Sequence, residues 1–135
     1  MISVRLIADS VSPEGCRLST FECTYPRYIH AQVMTHRVFS RNAQSSRALP
    51  TKKYLANIRT MPVVPVRWGK NKAGMQATEE LEGWRLKAAK LLWGVARRCA
   101  LVTAWGLYKA GVHKQVVNRL LEPFSHITVL ITARS

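Results

Sequence analysis

Residues 32–47, QVMTHRVFSRNAQSSR, decide how the rest of this chain is read. They carry His36, Arg37, Arg41 and Arg47 and no carboxylate. Between the charges stand Ser40, Asn42, Gln44, Ser45 and Ser46, all short hydrogen-bonding groups. Arg grips phosphate through a planar fork of N–H donors, and hydroxyls and backbone N–H groups fill in around it. Many donors without fixed negative charge suit a phosphorylated ligand. The plainer reading is a solvated basic face followed by a polar turn.

A second basic block lies downstream, His113-Lys114-Gln115 through Asn118-Arg119-Leu120-Leu121-Glu122-Pro123-Phe124. Together the two blocks resemble the signature of the flavin-dependent thymidylate synthases (the ThyX family). That signature runs Arg-His-Arg, three positions to a Ser, then Asn, and on to Ser-x-Arg. Thr35-His36-Arg37, Ser40, Asn42, Ser45 and Arg47 fall at those spacings. Thr35 stands where the family has its first Arg, Ala43 where Glu is usual and Ser46 where Gly is usual. The Thr-His-Arg variant is most similar to versions carried by bacteriophages. The resemblance runs from about Leu18 to the last residue.

What it implies is an α+β fold of antiparallel strands packed with long helices, similar to thymidylate synthase-complementing proteins, as a single partial domain over 1–135. The implied activity is reductive methylation of dUMP to dTMP. Methylenetetrahydrofolate gives the carbon, NADPH the reducing power, and FAD passes the hydride. The implied assembly is a homotetramer with shared active sites. Carried over by position, Thr35, His36 and Arg37 contact FAD, as do Thr132, Ala133 and Arg134. Gln32 touches the uracil nucleotide, Gln44 belongs to the same substrate set, and Ser45, Ser46 and Arg47 hold the phosphate. Arg119 reaches it from another subunit. The family's later Asn and Leu-Arg pair would fall past Ser135, and its early His- and Thr-bearing loop is replaced by an N-terminal hairpin. The expectation is the first part of a longer synthase, or half of a split one.

Composition sets wider bounds. A chain of 135 residues with 47% hydrophobic content allows one domain with a real core. Lys and Arg number 21 against 7 Asp and Glu, a formal charge of +14 that attracts any polyanion. Cys16, Cys23 and Cys99 form no CxxC pair, which argues against a disulfide framework or zinc cluster and for a reducing cytoplasm. No stretch approaches the roughly 20 apolar residues of a membrane span, so no membrane partner is expected. GxSxG, P-loop and HExxH patterns are absent, and the cysteines lack a thiolate setting. An enzyme built from these residues needs a cofactor to carry the reaction, and no metal or protein-borne nucleophile is expected.

Alternation predicts strands over 3–11 and 18–25, paired as a hairpin across residues 12–17 with a turn at Ser12-Pro13-Glu14-Gly15. Pro26 predicts a helix start, with helical periodicity from Arg27 to about Phe39. Residues 41–50 read as a loop. Thr51–Arg59 reads as a short helix, with Thr51 as N-cap and Tyr54, Leu55 and Ile58 inward. Residues 61–68 read as extended. Ala77–Ala110 is the longest periodic region, its Leu81, Trp84, Ala88, Leu91, Val95, Cys99, Val102 and Trp105 read as a core stripe. Trp84, Trp93 and Trp105 read as core or subunit contact, and Glu79, Glu80 and Glu82 as favouring that helix's start. Gly111 is a C-cap candidate. His113–Leu121 reads as a helix halted by Pro123, and Ser125–Thr132 as a buried strand. The competing function is a small basic nucleic-acid-binding protein, resting on the charge and on aromatics interleaved with Lys and Arg from Trp84 to Trp105. A third is a non-catalytic remnant kept for assembly.

Overall fold

The alternating runs near both ends of the chain meet in one antiparallel sheet. The computed structural model describes residues 1–135. Its strands are β1 (Ser3–Val11), β2 (Arg17–Pro26), β3 (Ser40–Ala43) and β4 (His126–Arg134), in the order β1-β2-β4-β3. The hairpin turn forms as expected: Ser12 N–H donates to the Cys16 carbonyl at 2.8 Å, and Gly15 supplies a φ of 82°. β4 pairs with β2 along its whole length, from Leu18 opposite Arg134 to Pro26 opposite His126.

The two faces of the sheet differ because side chains alternate. On one, Tyr25, Ile127 and Val129 pack with Cys23, Ala43 and Ile131 against Ile29 and Val33. On the other, hydroxyls pair across the strands, Thr20 with Thr132 at 2.9 Å and Thr24 with Thr128 at 3.1 Å. A second core lies among α2 (Thr51–Thr60), α3 (Gly83–Lys109), α4 (Lys114–Val117) and a 3-10 run over Asn118–Phe124. Tyr54, Leu55, Ile58, Ala104, Val117, Leu121 and Phe124 fill it. The architecture is α+β. No helix is long and apolar enough to cross a membrane.

Several expectations are corrected. The helix from Arg27 does not reach Phe39: a 3-10 turn at Arg27–Ile29 leads into α1 (His30–Val33), which then stops. Its C-terminal carbonyls are taken by side chains. Thr35 Oγ1 donates to Gln32 O at 2.6 Å, and Arg41 Nη1 donates to the Val33, Met34 and His36 carbonyls. Val38, read as helix face, is 90% exposed. The loop expected over 41–50 begins as β3, which gains ladder hydrogen bonds from β4. Thr51 does not cap α2; Pro50 holds the cap position, and the Thr51 hydroxyl donates to Asn118 Oδ1 at 3.1 Å.

The long helix is shorter than read and turned the other way. It starts at Gly83, so Glu79 and Glu80 precede it and pair with Lys70 and Arg67. Trp84, Leu91, Val95 and Val102 point outward. The buried side carries Trp93, Ala100, Leu101, Ala104, Leu107 and Tyr108. Of the three tryptophans, Trp93 is the one packed against that core, with Nε1 donating to Val63 O at 2.9 Å. The helix from His113 ends at Val117, and Pro123 lies inside the 3-10 run that follows.

Candidate functional site

β3 is short, and the expected ligand residues lie at its two ends. Leaving β3, Gln44 N–H donates to Thr128 O at 3.1 Å, and the Gln44 carbonyl accepts from Arg27 Nη2 at 3.3 Å. The chain then makes a 3-10 turn at Ser46–Ala48, capped by Ser45, whose Oγ accepts from Arg47 N–H at 3.3 Å. Ser46 is buried and its hydroxyl donates to Glu122 at 2.5 Å.

Asn118 joins this turn to the second block. It is fully buried, and its Nδ2 donates to Ser46 O at 2.8 Å and Leu49 O at 2.9 Å. Its Oδ1 accepts from Thr51. One amide thus satisfies three groups across some seventy residues of chain, where an unpaired one would be costly. Arg47 follows Ser46 and Arg119 follows Asn118, so the junction brings both positions to one region. Both are exposed, and neither pairs with a carboxylate. Gln44, exposed, lines two recesses here. One is an open depression with Glu22, Asn42, Thr128 and Leu130. The other is a cavity of about 150 Å³ with Leu49, Tyr54, Asn57, Ser125 and His126. Within the second, Tyr54 donates to Ser125 Oγ at 2.5 Å, and burial pushes the Tyr54 phenol up.

The other expected set gathers at the opposite end of β3. Ser40 pairs with Thr132, so the turn carrying Thr35, His36 and Arg37 lies beside the last residues of β4. Those three side chains and Arg134 are exposed, as is Gln32 on α1. Thr132 spends its hydroxyl on Thr20, and Ala133 faces the opposite side of the sheet from Thr132 and Arg134. Tyr25 OH lies 2.7 Å from His30 Nδ1, and burial, then Arg27 and Arg41, push His30 down.

Chemically, this surface is rich in cations and hydrogen-bond donors, with Tyr54, Ser125 and His126 lining one recess and Glu22 the other. No three His, Cys, Asp or Glu side chains converge as a metal site. Three residues outside the expected ligand set prove central. Asn118 and Glu122 hold the junction, and Arg41 pins the turn that presents His36. Their signal was membership in the two matched blocks; nothing local marked them as structural rather than ligand-facing.

No protein-family model matches the chain, and no curated protein matches it. Solved structures do. A UMP/dUMP methylase, PolB from Streptomyces cacaoi, bound with 5-Br dUMP, matches with a TM-score of 0.69 at 13% identity, covering 99% of this chain and 74% of that one. The same methylase bound with 5-Br UMP matches at 0.72 and 14%, covering 98% and 71%. The chain has the fold of a UMP/dUMP methylase. At that identity the likeness is one of fold, and the ligands belong to PolB.

Proposed function

We propose that this chain binds a pyrimidine nucleoside monophosphate, dUMP, for reductive methylation to dTMP, as a flavin-dependent thymidylate synthase does. The observation that carries the reading is the Asn118 junction. It draws the two nucleotide-signature blocks together and leaves Arg47 and Arg119 exposed and unpaired beside it. Likeness of fold to a UMP/dUMP methylase supports the same substrate class.

In this reading Arg47, with the backbone N–H groups of the Ser45–Ser46 turn, holds the phosphate, and Arg119 adds charge. Gln44 and Gln32 orient the base. FAD fits the far end of β3, where Thr35, His36, Arg37 and Arg134 present exposed donors that no carboxylate neutralises. Bound there, it would supply the hydride, with NADPH as its reductant and methylenetetrahydrofolate as carbon donor. Both ends lie on open surface, which suits sites shared within a homotetramer.

Calorimetric titration with dUMP, and a visible spectrum of the purified protein, test this. A yellow protein that binds dUMP is expected. Arg47→Ala and Arg119→Ala should each weaken dUMP binding about tenfold or more, the weight of a charge-assisted hydrogen bond. A colourless protein that ignores dUMP and binds DNA oligonucleotides with steep salt dependence would replace the reading with the nucleic-acid one.

A further inference from the structure

Between α2 and α3 the surface opens into a recess of about 200 Å³. Lys52, Leu55, Ala56, Arg59 and Thr60 line it from α2, and Trp105 lines it from α3. It shares no residue with the two recesses beside Gln44. At 100° per residue, Lys52, Leu55, Ala56 and Arg59 fall on the side of α2 opposite Tyr54, Asn57 and Ile58, which line the cavity near His126. The helix thus stands between the two.

Leu55 is buried and Ala56 is small, so the floor is apolar and low. Thr60 spends its hydroxyl on the Ala56 and Asn57 carbonyls, at 3.0 and 3.3 Å. Trp105 makes one wall. It is 39% exposed, with Lys109 Nζ 4.8 Å from its ring centroid and the Tyr108 ring 5.6 Å away. These contacts hold the indole and leave part of it bare. Lys52 and Arg59 stand about 10 Å apart along the α2 axis, with Ala56 between them. No carboxylate answers these cations. α2 carries three Lys and Arg and α3 carries six, and neither helix has an Asp or Glu. None of the ion pairs in the chain involves Lys52, Arg59 or Lys109.

A solvated basic face needs neither a hollow nor an aromatic wall, and this one has both. An apolar floor beside an indole favours a flat ring, and uncompensated cations at its rim favour an anion. Size narrows the class. Pockets for drug-sized ligands hold roughly 300–1,000 Å³, so this recess takes one ring with its acidic group. Three neighbouring cations suit a dianion better than a monoanion. We propose that the recess is a separate anion site for a small aromatic phosphate monoester. The ring lies against Trp105, and the phosphate sits between Lys52 and Arg59 above Ala56.

Binding here is independent of the nucleotide reading. Calorimetric titration of the full chain with phenyl phosphate, inorganic phosphate and phenol tests it. Phenyl phosphate should bind, and the other two, each lacking half of the recognised chemistry, should bind about tenfold more weakly or worse. Lys52→Gln/Arg59→Gln and Trp105→Leu should each weaken phenyl phosphate binding about tenfold or more with unaltered far-ultraviolet spectra. Arg47→Ala/Arg119→Ala should retain it, which separates this site from the one proposed for dUMP. Inorganic phosphate binding as tightly as phenyl phosphate would reduce the site to the general field of a +14 chain and overturn the proposal. A wild type that ignores phenyl phosphate, or binding that survives both recess variants, overturns it equally.

Discussion

Asn118 shows how one side chain can hold two distant blocks together. Its amide serves Ser46 O, Leu49 O and the Thr51 hydroxyl, two of these bonds buried and the one to Leu49 half-buried. Asn118→Ala strands the two carbonyls it serves, and the expected loss is about 3 kcal/mol, read as a lower midpoint in urea. A variant within a few tenths of wild type would mean that water reaches the junction. Arg41 makes a related point. It stands in the most basic stretch of the chain, where a guanidinium reads as a phosphate ligand, yet it donates to three carbonyls of the turn before β3. Residue type announces donors; only the fold says whether they are spent inside the protein or offered outside it.

At the scale of elements, α3 carries two opposite glycine effects. Gly94 lies mid-helix, and a methyl group there meets nothing within 4 Å. Gly94→Ala should stabilise the protein by about 1 kcal/mol through helix propensity. Gly111 ends the same helix at φ 85°, with its N–H on Tyr108 O and the Val112 N–H on Leu107 O, a Schellman close. Gly111→Ala forces a side chain into the left-handed region and should cost about 1–2 kcal/mol. Chemical denaturation of both variants checks the pair, and equal signs would refute it. Gly111 was legible beforehand because a glycine after a periodic run has one common use. The inward face of α3 was not. Both of its sides carry apolar residues, so spacing alone picked the stripe with the larger side chains, and packing buried the other.

For the whole molecule, pH acts through groups in different places. His30 and His126 are both pushed down by burial, helped by Arg27 and Arg41 in one case and by the N-terminal ammonium in the other. The unfolded chain takes up these protons near its ordinary value of about 6.5 while the native state resists them. This contribution is complete above that value and is lost as pH falls through it towards the folded values. Tm should therefore decline from about pH 7 to about pH 5, and His30→Gln/His126→Gln should flatten the slope. An unchanged slope in the double variant would remove these histidines as the cause. Asp9 acts lower: Arg17, then Ser19, hold its carboxyl at about 2, below its ordinary 3.8. Its contribution is present above 3.8 and disappears as pH falls through about 2.

Local pattern was enough for β1, β2, β4, the Gly15 turn and the inward face of α2. In each, neighbours along the chain carry the information: alternation in a strand, glycine at a positive φ, apolar positions three and four apart. The two donor-rich blocks were visible for the same reason. β3, the early stop of α1, the side of α3 that is buried and the Asn118 junction were set by contacts between residues far apart in the chain. Ser40–Ala43 becomes a strand because β4, some ninety residues later, offers it hydrogen bonds, and Asn118 finds its partners some seventy residues earlier. Such partners exist only once the chain has closed on itself, so no window of sequence can display them.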